Sequence, residues 1–416
     1  MPVQIVISHV CSSWRYVALG TGELWANVYI RDPFRNQQIY NAWLTRAGQH
    51  PISLRLNLDS DDISVKPPPS ISSTFWKFVK HFPIRHLGLI MYAEDFCDLW
   101  ASGRESQDTS PYLERLDIRL FLSDPSLSLI SIMSFNIPAA VIGKTRSATF
   151  SAYGPYVGKI ECLTRQLAFP WAQLRDLAIH ACTLLSWCMI ILQQMPLLEQ
   201  CSLNVAVDEA AENTGHLTLS HLQSLILNLT QSGDHIDAVI RHFTCPNLTL
   251  LDIEETLDWS TATWDMIRKQ YNLHHLQGLS LNRFKPLSNL VLSSVIFRDA
   301  PMLRNLNVGH VAIMDEETCA GMVTGAFGRF LRSLTVLCKQ SDLGVVLRMA
   351  KDRQLAVAER LKPGCSWQDE MASLKQLNLR YLAGTESPDT CEDEMIELER
   401  LGVAVTVSQI EEFDFD

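Results

Sequence analysis

Apolar residues recur along the chain with the spacing L-x-x-L-x-L, most clearly at Leu222, Leu225 and Leu227. The second and third of these positions alternate as in a β-strand, so their side chains lie on one face. A single strand of this kind cannot bury its apolar face, and it requires neighbours that carry the same pattern. The pattern recurs at Leu174/Leu177/Ile179, Leu198/Cys201/Leu203, Leu248/Leu251/Ile253, Leu276/Leu279/Leu281, Leu303/Leu306/Val308, Leu331/Leu334/Val336 and Leu374/Leu377/Leu379.

The spacing between these units indicates the class of fold. First positions of consecutive units are 24, 24, 26, 28, 27, 28 and 43 residues apart. The first six steps fall within the period of roughly 20–29 residues that is typical of leucine-rich repeats. An earlier unit at Leu113/Leu116/Ile118, a degenerate one at Ser147–Tyr153 and a strand at Leu87–Leu89 extend the series toward the amino terminus. The pattern therefore predicts an α/β leucine-rich-repeat solenoid, or horseshoe, over residues 84–385.

The segments between the units predict helices on the convex side of such a solenoid. The most apolar segment, Leu184–Leu192, is about half the length of a membrane span, so it is expected to be a buried helix. Ile236–His242 and Ala262–Gln270 are further helical segments.

Negative charge is concentrated at the carboxyl terminus. The formal net charge of the chain is −11, and Glu386–Asp416 contains eleven acidic residues and one basic residue, which leaves −1 for the other 385 residues. A near-neutral body with an acidic end has no basic footprint for nucleic acid or for an anionic membrane. The spacing of Met395, Leu398 and Leu401, followed by Gly402, predicts a last helix, and Val403–Val407 predicts a last strand; together they cap the array.

The surface pattern of the repeats favours a protein partner. In a horseshoe, the residues that alternate with the buried leucines form a concave sheet face. From Arg115 onward these residues are mostly small and neutral-polar, without a basic stripe or an aromatic ladder, which argues against nucleic acid. The candidate substrate-binding residues on this face are Asp117, Asp176, Ser202, Asp252, Asn305 and Asn307.

The sequence contains no catalytic pattern. It has no G-x-S-x-G, no glycine-rich phosphate loop and no H-E-x-x-H, and His274–His275 has no acidic residue at ligand spacing. The eleven cysteines are scattered without a C-x-x-C pair, which favours a reducing compartment. We therefore expect no enzymatic activity, no cofactor and no metal ion. The sequence also shows no signal peptide and no membrane span, so we expect a location in the cytoplasm or nucleus.

The first 30 residues have a different pattern. Apolar side chains recur every three or four residues, as in one amphipathic helix, at Val6, Val10, Trp14, Val17 and Ala18. Glycines at positions 20 and 22 then end the helix, and an apolar pair, Leu24–Trp25, follows. Two tryptophans and several aliphatic residues are more apolar surface than one small helix can bury.

This stretch resembles the C-terminal half of an F-box, in the form common in large families of basidiomycete fungi. That form reads approximately V-C-x-x-W-R-x-x-A-L-x-T-x-x-L-W, and the chain matches it at Val10, Cys11, Trp14, Arg15, Ala18, Leu19, Thr21, Leu24 and Trp25. Asn41–Leu58 resembles the segment that follows the F-box in these families. The families open their F-box with an L-P-x-E-[IL]-L-x-x-I-F helix, which does not precede Val10 here, so the resemblance is to a partial F-box.

The resemblance implies a function and a set of contacts. The protein would be the substrate-recognition subunit of a Skp–cullin–F-box ubiquitin ligase and would bind an unidentified protein substrate through its repeats. A Skp-type adaptor protein would be held by the F-box, less tightly without the opening helix. The implied adaptor-binding residues are Val10, Cys11, Trp14, Val17, Leu24 and Trp25. Trp14 and Trp25 could instead cap the N-terminal end of the solenoid. The alternative is a leucine-rich-repeat scaffold that binds a protein partner, has a degenerate F-box and recruits no ligase.

These expectations divide the chain into four parts. Residues 1–30 form the partial F-box, and residues 31–83 form a connecting segment with a proline-rich loop at Pro67–Pro69. Residues 84–385 form the repeat array, and residues 386–416 form an acidic cap and tail.

Overall fold

Parallel β-strands make up much of the regular structure in the computed structural model of the protein, which is a mixed α/β protein. The structure describes residues 3–31, 37–58, 81–92, 96, 112–121, 144–153, 171–229, 236–254, 261–282, 293–308, 316–339, 342–360, 371–382 and 391–410. The chain divides into two units, Met1–Asn204 and Val205–Asp416. Fourteen of the described strands are assigned to one parallel sheet, in the order in which they occur along the chain.

The first unit begins with helices and continues as strands. Its helices are α1 (Val3–Ser8), α2 (Ser12–Gly20), α3 (Gln37–Ala47) and α4 (Leu185–Leu192), with 3-10 turns at Gly22–Trp25 and Trp171–Gln173. Its strands are β1 (Asn27–Arg31), β2 (Ile52–Asn57), β3 (Ile84–Tyr92), β4 (Arg115–Phe121), β5 (Ser147–Tyr153), β6 (Asp176–Leu184) and β7 (Gln200–Ala206), and the boundary between the units falls within β7.

Alternation along these strands places the apolar side chains on one side of the sheet. The parallel register sets Leu54 of β2 opposite Leu87 of β3, and Leu87 opposite Leu116 of β4. All three side chains are completely buried. A backbone hydrogen bond just before the next two strands, β4 and β5, joins them as well, since the amide of Arg146 donates to the carbonyl oxygen of Glu114 at 2.8 Å.

The second unit repeats strand and connection more regularly. Its helices are α5 (Ile236–Ile240), α6 (Thr261–Gln270), α7 (Ser293–Asp299), α8 (Glu316–Thr324), α9 (Leu343–Arg360) and α10 (Glu392–Arg400), with 3-10 turns at Glu209–Asn213 and Leu273–His275. Its strands are β8 (Leu217–Thr218), β9 (Ser224–Leu229), β10 (Phe243–Thr244), β11 (Leu250–Glu254), β12 (Gly278–Asn282), β13 (Asn305–Val308), β14 (Ser333–Lys339), β15 (Gln376–Leu382) and β16 (Ala404–Ile410). β8 and β10 pair with each other in a separate two-stranded parallel sheet.

The repeated leucines of the second unit form continuous rows across its strands. The register aligns the middle residue of each triplet with the middle residue of the next, in the row Leu225, Leu251, Leu279, Leu306, Leu334 and Leu377. None of these side chains is more than 6% exposed. The third residue of each triplet forms a second buried row, so the repeat register read from the sequence is confirmed for these strands.

The predicted helices between the repeats are also found. The segments predicted as helical correspond to α4, α5 and α6, and α4 is buried along nearly its whole length. The predicted last helix and strand correspond to α10 and β16. Gly402 lies between them with φ +83°, a backbone conformation that glycine adopts without a steric penalty.

The N-terminal region differs from the prediction in two respects. The single amphipathic helix is instead two helices, because Cys11 leaves the helical conformation (φ −157°) and its sulfur caps the second helix. Strands β1 and β2 precede residue 84, where the first strand was expected, and both belong to the parallel sheet. β1 buries Val28 and Ile30 rather than leucines, so a search for leucine triplets passes over it. The loop predicted at Pro67–Pro69 lies outside the described residues.

A buried arginine on α9 binds the backbone of the segments around it. The side chain of Arg353 is completely buried, and burial lowers its pKa to about 10, with a smaller contribution from Arg360. Its guanidinium donates to the carbonyl oxygens of Met322 at 2.7 Å, Gly328 at 2.8 Å and Ala372 at 3.0 Å. The group is therefore charged at neutral pH and joins three chain segments of the second unit.

Within the ranges given above, no helix has both the length and the hydropathy that crossing a bilayer requires.

Substitution of a row leucine tests the repeat register. We expect Leu225→Asp to lower the free energy of unfolding by about 3 kcal/mol or more, because it removes buried apolar surface and buries a carboxylate. Ser224→Asp is the matched control, since Ser224 lies on the other side of the same strand and is only half-buried. Urea unfolding followed by circular dichroism gives both values. Equal losses for the two variants would contradict the register.

A second prediction concerns Arg353. We expect Arg353→Met to destabilise the second unit by on the order of 3 kcal/mol, because several buried carbonyl oxygens lose a charged donor. Arg353→Lys should be intermediate, since an ammonium cannot reach carbonyls on both sides. Arg348→Met on the exposed side of the same helix is the control and should change stability by no more than about 0.5 kcal/mol. Thermal melting of the three variants checks this, and a stable Arg353→Met variant would show that packing alone holds these segments.

Candidate functional site

Two adjacent helices at the amino terminus expose large apolar side chains. Val10 is 63% exposed, Trp14 is 55% exposed and Val17 is 60% exposed, and on α2 only Ala18 is buried. The full set, which we name the N-terminal apolar patch, is Val6, Val10, Trp14, Tyr16, Val17 and Leu19. Clustered exposed apolar residues of this kind mark interaction surfaces in soluble proteins.

Trp25 does not belong to this patch, although the sequence placed it among the adaptor-binding residues. Its side chain is only 2% exposed, and its indole N–H donates to the carbonyl oxygen of Ala18 at 2.7 Å. Its ring lies 6.1 Å from the ring of Trp43, and the guanidinium of Arg46 lies 4.8 Å from its centre. Trp25 therefore fixes α2 against α3. The residues that bury it, Trp43 and Arg46, are 18 or more positions further along the chain, so the local sequence pattern could not indicate this burial.

Cys11 and Arg15 stabilise the two helices that carry the N-terminal apolar patch. The sulfur of Cys11 accepts the backbone N–H of Trp14 at 3.5 Å, so Cys11 acts as an exposed N-cap of α2. The Nε of Arg15 donates to the carbonyl oxygen of Ser8 at 2.8 Å and joins the end of α1 to α2. Leu24, in the 3-10 turn after α2, is half-buried. Of the six adaptor-binding candidates, Val10, Cys11, Trp14 and Val17 are thus accessible to a partner, and Leu24 is so in part.

A second candidate surface lies on the solvent-facing side of β1–β4. The register places Tyr29, Arg55, Gly88 and Asp117 in one row across these four strands. Asp117 is only 7% exposed, in contrast to the accessible position expected for it. Its Oδ2 lies 3.8 Å from Nη2 of Arg55 and 3.3 Å from Nη2 of Arg119. We name Arg31, Arg55, Arg115 and Arg119 together with Asp117 the arginine face.

Gly88 makes the Arg55–Asp117 contact possible. A Cβ atom at this position would lie 3.2 Å from Cγ and 3.4 Å from Nε of Arg55. The side chain of Arg55 therefore crosses β3 through the space that a side chain at position 88 would occupy. The carboxylate that it reaches is two strands away.

An aromatic row borders the arginine face near the carboxyl ends of the strands. The ring of Phe121 lies 6.1 Å from that of Tyr92 and 5.8 Å from that of Tyr153, and the register aligns the three residues across β3–β5. The expectation of a surface without a basic stripe or an aromatic ladder was therefore wrong for the first unit. That expectation considered only residues from Arg115 onward, so it did not include the residues of β1–β3 on this face.

Two titratable groups on this side of the sheet respond to their surroundings. The pKa of His86 is lowered by burial and by the charges of Arg115 and Arg55, against the opposing effect of Asp117. Its Nδ1 lies 3.0 Å from Oγ of Ser53, and its Nε2 is buried with no hydrogen-bond partner among the described residues.

The pKa of Asp176 is raised by burial and by Glu199, against the opposing effect of Arg115 and Arg175. Ser202, the remaining candidate of the first unit, is half-buried on β7.

The candidates of the second unit lie on a surface that is polar and mostly uncharged. The register places Asp252, Ser280, Asn307, Thr335 and Asn378 in one row. Nδ2 of Asn307 donates to Oγ of Ser280 at 3.1 Å, and Nδ2 of Asn378 donates to Oγ1 of Thr335 at 3.1 Å. Asn305 is exposed one row away. These hydrogen bonds tie the strands together and leave small polar groups toward solvent.

Among the residues that the structure describes, no group of three His, Cys, Asp or Glu side chains is arranged to hold a metal ion. Comparisons of the chain with protein-family models, with curated proteins and with solved structures gave no match.

The lowered pKa of His86 makes the stability of the first unit depend on pH. Because the folded pKa lies below 6.5, the unfolded chain takes up the proton first as pH falls, so this group reduces stability between about pH 7 and pH 5. The variant His86→Gln cannot titrate and should lose less stability over that range. Urea midpoints at several pH values measure the difference. His180→Gln, at an exposed position on β6, is the control, and identical pH curves for wild type and His86→Gln would refute the prediction.

Proposed function

We propose that the protein is the substrate-recognition subunit of a Skp–cullin–F-box type ubiquitin ligase, acting in the cytoplasm or nucleus. The observation that carries this proposal is the N-terminal apolar patch. It occupies the stretch that resembles an F-box, and its largest side chains are in solvent although the chain buries apolar residues efficiently elsewhere. A Skp-type adaptor would cover this patch.

The internal packing of the N-terminal region supports this role. Trp25 holds α2 through its hydrogen bond to Ala18 and its ring contact with Trp43. The exposed residues of α2, Trp14 and Val17, are therefore presented on a fixed helix. Presenting apolar side chains on a rigid element limits the entropy lost on binding.

The second part of the proposal concerns the repeats. We infer that the parallel strands with their helical connections form a leucine-rich-repeat horseshoe whose solvent-facing side binds the substrate. The aligned leucine rows and the step of 24–28 residues between most repeats support this inference. The chain would then catalyse nothing itself. It would raise the effective concentration of the substrate at the ligase by holding adaptor and substrate together.

Substitution of Trp14 tests adaptor docking. We expect the chain to bind a purified Skp-type adaptor, and Trp14→Ala to weaken binding about tenfold or more, since a tryptophan anchor contributes about 2 kcal/mol at such interfaces. Tyr112→Ala is the matched control, because Tyr112 is an aromatic residue of the same unit that is 56% exposed outside the patch. Isothermal titration calorimetry gives the three dissociation constants.

Two results would count against the ligase function. Absence of binding by the unsubstituted chain would favour the scaffold that recruits no ligase. Equal weakening by Trp14→Ala and Tyr112→Ala would place the adaptor contact outside the patch. Trp14 and Tyr112 are exposed to the same extent, at 55% and 56%, so the two variants should change the thermal stability of the parent chain about equally and by little.

A further inference from the structure

The arginine face is a local excess of positive charge on an acidic protein. The rows across β1–β6 contain four arginines against two carboxylates, Asp117 and Asp176, which gives +4 − 2 = +2. The chain as a whole carries −11. Charges separated by more than a Debye length of roughly 8–10 Å are screened at physiological salt, so a ligand on this face experiences mainly the local field.

The arginines are held in place for binding. Arg55 and Arg119 both contact the buried carboxylate of Asp117, and Gly88 opens the path that Arg55 follows. Their side chains are nevertheless 44% and 39% exposed. A guanidinium has five N–H donors, of which Asp117 can engage only some, so each arginine can also bind a ligand carboxylate.

The aromatic row adds an apolar component beside these charges. Tyr153 is 46% exposed at one end of the row, while Tyr92 and Phe121 are half-buried. The rings of neighbouring residues are tilted by 55° and 34°. Such rings form an uneven apolar surface on which one or two side chains of a peptide can pack.

We propose that the arginine face and the aromatic row together bind an extended acidic segment of a protein partner, with its carboxylates on the arginines and an aromatic or aliphatic side chain on the rings. The inference rests on the proposed function in so far as this segment belongs to the ligase substrate. It names the chemical class of that substrate: a segment in which acidic and bulky apolar residues alternate.

A peptide fits these observations better than a nucleic acid. A single strand would stack its bases on exposed, open rings, whereas two of the three rings here are half-buried and tilted against each other. A long polyanion would also extend beyond the four arginines, and its further phosphates would find no arginine of this face to bind. A short acidic segment avoids both problems.

Fluorescence anisotropy with a labelled peptide tests the proposal on the whole chain. The probe is a fluorescein-labelled (Asp-Glu-Phe)4 peptide, with (Asn-Gln-Phe)4 as the neutral probe and oligothymidylate as the nucleic-acid probe. We expect the acidic peptide to bind, the neutral peptide to bind at least tenfold more weakly, and added salt to weaken the acidic peptide. Because the chain is acidic overall, binding of an acidic probe requires a local cationic site.

Matched variants locate the site. Arg55→Gln and Arg119→Gln should each weaken the acidic peptide about tenfold, and Arg55→Lys should weaken it less. Arg304→Gln, which removes an exposed arginine of the second unit, should leave binding unchanged. Gly88→Ala should weaken binding by displacing Arg55, whereas Gly278→Ala, where the crowded neighbour is Leu250 at 3.3 Å, should not.

The proposal is overturned if the arginine variants bind the acidic peptide as the parent chain does, if Arg304→Gln weakens it equally, or if oligothymidylate binds more tightly than the peptide. Thermal melting of each variant separates loss of binding from loss of folding. The measurement contains no adaptor. A negative result therefore leaves the adaptor test unaffected, and a failure of adaptor binding leaves this result interpretable.

Discussion

Burial of leucine against leucine across parallel strands is the constraint on which the rest of the structure depends. Leu225, Leu251 and Leu279 occupy one row because the strands pair in register, and a shift of one residue would turn each of them toward solvent. The opposite side of each strand takes no part in this row. Its residues are therefore selected for other properties, and they differ between the two units: charged and aromatic in the first, small and neutral in the second.

The longest step in the repeat series, from Leu331 to Leu374, contains the helix that carries the buried Arg353, and this arginine explains how the additional chain is packed. Between Leu331 and Leu374 the chain is 43 residues long, and the 18-residue helix α9 occupies part of this segment. Additional chain between two paired strands has to be packed without disturbing their register. Arg353 does this with hydrogen bonds to carbonyl oxygens on both sides of the insertion, which a purely apolar helix could not provide.

Much of the fold could be predicted from the sequence because its signals are local. Alternating leucines and a nearly constant period identify β4, β6, β7, β9 and β11–β15, and Gly402 marks the end of the last helix. β1 was missed because Val28 and Ile30 do not match a leucine pattern and lie next to a stretch that resembles another domain. The domain boundaries and the ligase function themselves stay predictions.

The candidate surfaces could be predicted only in part. The exposed apolar helices follow from the composition of the first 30 residues, whereas the burial of Trp25 depends on Trp43, a contact that spacing does not encode. The contact between Arg55 and Asp117 depends on the register of three strands, including the irregularity between Ile52 and Ser53 of β2. No local pattern in the sequence specifies such an arrangement.

The glycine on β3 affects the polar side of the sheet but not the buried leucine rows on the other side. Gly88 faces the polar side of the sheet and has an ordinary strand backbone, so a larger residue there would leave the leucine rows intact while changing the path of Arg55. Single substitutions at this position could therefore alter the ligand preference of the surface without a change in the leucine rows. The cost in folding would come from Arg55, which a larger side chain would displace from the buried carboxylate of Asp117.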